Sequence, residues 1–195
     1  GAEDTRRIFD VTAEGLALIR ARVARHQIDC DWTPGQMHVA IKPRQETELR
    51  AWVDELRRRF GYDSLRYVER AELRQLVASE RYLSGTYDTA SGHLHPLNYT
   101  LGLARAAQAA GVRIFEDTRA LSFEPGDTVR VATSRGEVRC RHLALCGNAY
   151  IGATAPALAR KIMAVGTYIV ATEPLGAERA RALITNNAAV TDINW

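Results

Sequence analysis

Positions Ile8, Val11, Gly15, Leu18, Ile19, Arg22 and Val23 recur at spacings of three and four. That stripe predicts a helix over 5–26, with Asp4 as its N-cap. A turn-rich link at 29–35 follows, then an alternating strand at 36–41 with Met37, Val39 and Ile41 on one face. Leu49, Trp52, Val53 and Leu56 mark the inner face of a second helix, 46–60, stopped by Gly61. A short helix is expected at 70–78. Residues 82–95 read as a loop, because Gly85, Gly92 and several hydroxyl residues interrupt any pattern.

Pro96 opens a third helix, 96–110, and Gly111 ends it. The second half turns β-rich. A strand at 112–115, a meander at 129–133 and 138–140 turning at Ser134-Arg135-Gly136, and an uncharged run at 143–146 follow in order. Four apolar residues closed by Gly147-Asn148 read as a fully buried strand of the parallel type. A β-branched and aromatic run at 163–171 predicts another strand, 177–183 a short helix, and 192–195 a last strand. The class is therefore α/β: a mixed sheet with flanking helices.

Composition narrows the classes. The 195 residues suffice for one large or two small domains, and 46% are hydrophobic, which allows a sizeable core. The formal net charge is only +3, and the 26 basic residues, nearly all arginine, are scattered among 23 acids. A nucleic-acid binder concentrates its cations on one face, so none is expected as partner. Arg57-Arg58-Arg59 lies beside Asp54 and Glu55 and reads as a solvated helix face. Three cysteines without a CxxC pair fit a reducing cytoplasm, and Cys140 and Cys146 read as small core residues on strands. The uncharged stretch 143–159 is broken by Gly147, Asn148, Gly152 and Pro156, so no membrane span is expected. The chain opens at Gly1 and closes within an apparent strand, which suggests an internal fragment.

Candidate chemistry is sparse. A glycine at the carboxyl end of a buried strand lets a ligand approach the backbone, and open α/β sheets bind ligands there. The same residues could also form a plain turn. No Gly-x-Gly-x-x-Gly occurs, so the phosphate-gripping half of a dinucleotide site is not expected in this polypeptide. His93 and His95 would share a face on a strand, but with no third ligand nearby a structural role outweighs a metal. Trp52 reads as core, and Tyr168 as a pocket wall or core.

The block His93-Leu-His-Pro-Leu-Asn-Tyr99, the segments Ala110-Gly-Val-Arg-Ile114, Thr118-Arg-Ala120 and Leu143-Ala-Leu-Cys-Gly-Asn-Ala-Tyr150, and the run Met163-Ala-Val-Gly-Thr-Tyr-Ile-Val-Ala-Thr-Glu-Pro174 stand in one order. Together they resemble the D-amino-acid-oxidase-like FAD-dependent oxidoreductases, most closely the gamma-glutamylputrescine oxidoreductase branch. The resemblance covers nearly the whole chain. It implies a flavoprotein that oxidises an amine or amino acid by hydride transfer to FAD. It also implies a partial Rossmann-like FAD-binding sheet joined to part of a substrate domain. Mapped on the chain, 1–95 would be mostly substrate domain, 96–155 part of the FAD-binding domain, and 156–195 substrate-domain strands.

By the same resemblance Ala120 would meet the adenine through its backbone, and Cys146, Gly147 and Asn148 would lie along the adenosine and diphosphate. His93, His95 and Tyr168 are the candidates for the substrate region, no residue is assigned as catalytic, and no metal is implied. The cofactor-wall reading, and the enzymatic reading with it, requires Asn148 to lie outside a helix, at the carboxyl edge of a parallel array. An alternative from another class is a non-catalytic folded module, or a small-molecule binding domain, that forms homo-oligomers through exposed sheet edges.

Overall fold

The computed structural model describes residues 1–193. Its elements run α1 (Ala2–Arg25), β1 (Thr33–Ala40), α2 (Pro43–Phe60), β2 (Leu65–Val68), α3 (Arg70–Leu76), β3 (Ser84–His93), α4 (Pro96–Ala109), β4 (Ala120–Glu124), β5 (Val129–Thr133), β6 (Gly136–Cys140), α5 (Pro156–Ala159), α6 (Ala177–Leu183) and β7 (Ala189–Asp192). The chain divides into two compact units, Gly1–Val112 with Thr172–Trp195, and Arg113–Ala171. The expected boundaries after 95 and 155 fall inside these units, since α4 groups with the first and 156–171 with the second.

The first unit is built on a four-stranded mixed sheet, order β2-β3-β1-β7. β1 runs antiparallel to β3 and parallel to β7. Alternation along β1 works as expected, with Met37 and Val39 buried on one face. They join Val68, Leu73, Val77 and Ala188 in the main core, with Tyr87 and Val190 against it. The cross-strand pairs His38 with Thr86 and Gln36 with Asp88 put polar residues on the opposite face. That face lies under α2, as the edge-on contact of the His38 and Trp52 rings at 5.3 Å shows.

β3 corrects the expectation of a loop at 82–95. It is an interior strand, and its glycines mark close approach. A Cβ on Gly85 would lie 2.9 Å from the His38 carbonyl oxygen, and one on Gly92 would lie 2.4 Å from that of Thr33. Ser84 and Thr86 are small enough to be fully buried beneath the helix.

The long helices form where the periodicity places them, with different ends and faces. α1 begins at Ala2 with Gly1 as N-cap, so Asp4 stands inside the first turn rather than capping it. There an acid favours the positive end of the helix dipole. Ile8 and Val11 remain 69% and 67% exposed. Phe9 instead packs inward, stacked on Phe60 at 4.3 Å and edge-on to Tyr62 at 5.6 Å.

α2 starts three residues early because Pro43 suits its first turn and Gln45 ties it down. Gln45 Oε1 accepts the amides of Ile41 and Lys42, each at 2.8 Å, and Nε2 donates to the Ile193 carbonyl. Gly61 closes the helix at φ 65°, the left-handed geometry its lack of Cβ allows. Leu49 and Val53 are buried, whereas Trp52, expected in the core, is 36% exposed at the helix edge. Residues 177–183 form the expected helix, and the last strand is Ala189–Asp192, with its expected end at 194–195 outside the described residues.

The second unit contains an antiparallel meander, order β4-β5-β6. The turn at Ser134-Arg135 is as expected, closed by the Thr133–Gly136 pair. Three expected strands are absent. Residues 112–115, 143–146 and 163–171 carry no ladder, and Phe115 and Met163 are exposed. A lone strand leaves every backbone donor and acceptor to water, so these runs stay irregular without neighbours to pair them. Cys146 is accordingly exposed rather than core, and Cys140 is half-buried.

Candidate functional site

The second unit contains a cleft of about 350 Å³ between the start of β4 and the chain after the meander. Ala120, Cys146 and Gly147 line it together, with Leu143, Leu145 and Ile151 as its apolar walls. Two local features build it. Thr154 Oγ1 donates to the Ala120 carbonyl at 3.0 Å and pins the turns after Gly147 to the strand. The Ser134 amide donates to the Arg119 carbonyl at 2.8 Å, while Ser134 Oγ accepts the Arg119 amide at 3.0 Å. These bonds fix the backbone on both sides of Ala120. Arg119 is the cleft's charged side chain.

Asn148 is a correction. It opens a one-turn 3-10 helix, Asn148–Tyr150, at φ 46°, and does not line the cleft. The sheet of this unit is antiparallel throughout, so the strand-edge geometry required of Asn148 is not met. Asparagine tolerates the left-handed region and serves here as a turn residue. Gly147 has ordinary φ, −77°, so it is not needed for backbone freedom. A Cβ there would sit 3.3 Å from Ile151 Cα, tight against the turn that closes the cleft.

The three substrate-region candidates do not converge. His93 Nε2 donates to the Asn187 carbonyl at 2.7 Å, fastening the end of β3 to the segment before β7. His95 is the N-cap of α4, and its Nδ1 accepts the Asn98 amide at 3.3 Å. Tyr168 is 93% exposed and does not line this cleft, because the strand expected to carry it is unpaired. Among the described residues no group of three or more His, Cys, Asp or Glu is placed to hold a metal ion. Likewise, no helix there is long and apolar enough to cross a membrane.

Sequence reasoning missed the strongest polar cluster in the first unit. Asp88 is buried, and its carboxylate accepts Tyr62 Oη at 2.8 and 3.0 Å, Ser91 Oγ at 2.6 Å and the Ala90 amide at 3.0 Å. The signal was present as Asp88 alternating with buried Thr86 and Ser84, but the glycines around it suggested a loop. His38, on the same sheet face, is held below the ordinary imidazole range by burial, against the opposing pull of Asp88.

Comparison with known proteins identifies the relationship. The family model described as DAO, FAD dependent oxidoreductase, matches residues 1–194. The chain is 34% identical over 196 residues to gamma-glutamylputrescine oxidoreductase of Escherichia coli, covering all of this chain and 46% of that protein. It is equally 34% identical over 199 residues to Probable oxidoreductase OrdL of Haemophilus influenzae, again covering 46% of the relative. It thus spans about half the length of these relatives. In solved structures, 76% of the chain superposes on 41% of glycine oxidase from Geobacillus kaustophilus, with a TM-score of 0.63 at 17% identity, a likeness of fold. With a family match running from the first residue to 194, this chain belongs to the DAO family of FAD-dependent oxidoreductases.

Proposed function

We propose that the chain is part of an enzyme that oxidises a small amine or amino acid, and that the cleft at Ala120, Cys146 and Gly147 receives the adenosine end of its FAD. The observation that carries this reading is the convergence of those three residues on one cleft, although 26 positions separate Ala120 from Cys146 in the sequence. The residues fit that end of the cofactor. A volume of about 350 Å³ lies at the low end of the ~300–1,000 Å³ typical of small-molecule sites, room for a nucleoside but not for the whole dinucleotide. Its apolar walls suit the faces of a purine. Arg119 has the sign a diphosphate requires.

FAD bound there would supply the hydride acceptor for oxidation of the amine. The chain's own contribution at the cleft is binding and orientation. Thr154 holds the Ala120 backbone, and Gly147 lets the turn at Ile151 pack closely and close the opposite wall. The same reading assigns 96–155 to the FAD side and 1–95 with 156–195 to the substrate domain. The location is cytoplasmic, in keeping with three free cysteines.

Yellow protein with absorbance near ~450 nm on purification, or a rise in melting temperature on adding FAD, is the expected result. Colourless protein that FAD does not stabilise contradicts it. A second reading, a module that self-associates, is favoured by one observation: the unpaired apolar run around Tyr168 and Ile169, 93% and 95% exposed. Colourless protein whose molecular size grows with concentration would select it.

A further inference from the structure

Tyr150 is the one aromatic side chain among the described residues that line the cleft beside Ala120. It is also 95% exposed. The fold gains little from a ring left in water, whereas a flat partner seated in the cleft would cover it.

The turn that carries this ring is fixed on every side. The Tyr150 amide donates to the Gly147 carbonyl at 2.9 Å, and the Ile151 amide to the Asn148 carbonyl at 3.3 Å. Ile151 and Ala155 anchor the segment, both buried. Thr154 Oγ1 ties its far end to the Ala120 carbonyl. Left-handed residues bracket the ring, Asn148 at φ 46° and Gly152 at φ 49°. A residue other than glycine held in that region carries backbone strain, which persists where its surroundings over-determine it and gathers at ligand clamps. Ile151 thus packs inward while its neighbour Tyr150 stands at the cleft, on a backbone with little freedom to move it elsewhere.

The rest of the wall says what the ring can take. Leu143, Leu145 and Ile151 are apolar, Arg119 is the charged side chain, and no acid is among the described lining residues. A flat, uncharged ring system with an anionic tail suits that set. An aliphatic chain gains no stacking, and a cation is repelled by Arg119. A phenol ring stacks on the π-face of any base, and a purine offers more area than a pyrimidine.

We propose that Tyr150 is the side chain that stacks on the adenine of the bound nucleotide, closing the cleft over the base. The proposal rests on the reading of this cleft as the adenosine end of the FAD site, and adds to it the residue that holds the base. Stacking uses the ring and not its hydroxyl, so phenylalanine should serve as well.

The test is an NMR titration of the full chain with AMP, which carries the adenosine and a phosphate without the flavin. Three results are expected. The Ala120 amide shifts saturably, the adenine H2 and H8 signals move upfield under the ring current, and both protons show cross-relaxation to the Tyr150 ring. Tyr150→Phe should bind AMP as the parent does, and Tyr150→Ala about tenfold more weakly. Because the ring is exposed, the urea midpoint of Tyr150→Ala should match that of the parent. Undiminished affinity in Tyr150→Ala, or bound adenine without contact to the Tyr150 ring, overturns the proposal and leaves the cleft reading standing if the Ala120 amide still moves. An Ala120 amide that responds to neither AMP nor FAD removes the cleft reading, and this proposal with it.

Discussion

Gly85 shows how one missing atom holds the sheet together. A Cβ there would press the His38 carbonyl oxygen at 2.9 Å, and backbone in mid-sheet has nowhere to move. Gly85→Ala is therefore expected to cost about 1–3 kcal/mol, read as a lower urea midpoint with an unchanged slope. Tyr62 makes a different residue-scale prediction. Its phenol rises from 10.0 to about 12, first through burial and then through its bond to Asp88. Between those two values the unfolded chain gives up the proton that the folded chain keeps. Its contribution to stability is thus full below pH 10 and is lost as the pH climbs towards 12. Urea melts across that window should show the decline in the parent chain, and Tyr62→Phe should lack this component.

At the scale of elements, what could be read from the sequence was what each segment settles by itself. α2, α4 and α6 carry their own periodicity, a proline or an acid at the start and a stop beyond. The β5–β6 hairpin carries its own turn. Strands that depend on distant partners were misread both ways. β3 looked like a loop because the features that let it lie between β1 and β2, Gly85 and Gly92, are also loop features. The runs at 112–115, 143–146 and 163–171 looked like strands because they are apolar and β-prone, but they have no ladder here.

Two expectations follow for these elements. His95→Ala removes the N-cap of α4 and should cost about 1 kcal/mol, whereas His95→Asn should retain most of it. Chymotrypsin should cut first after Tyr168, within the exposed run, before any cleavage in β1. Early cleavage in β1 would show that the order of protection is wrong.

For the molecule as a whole, α/β character and family were legible because many moderate motifs stand in one order along the chain. The site was legible only in part. Ala120, Cys146 and Gly147 share a cleft, but Asn148, Tyr168 and the two histidines do not join them. Local pattern could not reveal that Thr154, a hydroxyl in an unremarkable turn, fastens the cleft to β4. It also gave no hint of the Asp88 cluster, which exists only once Tyr62, just beyond α2, meets β3.

The most direct test of the central claim follows the backbone amides of Ala120, Cys146 and Gly147 by NMR while FAD is added to the full chain. Saturable shifts confined to these residues and their cleft neighbours, with loss of the effect in Gly147→Val, are the predicted result. Amides that stay still under excess FAD, or that move equally in Gly147→Val, would contradict the assignment of this cleft to the cofactor.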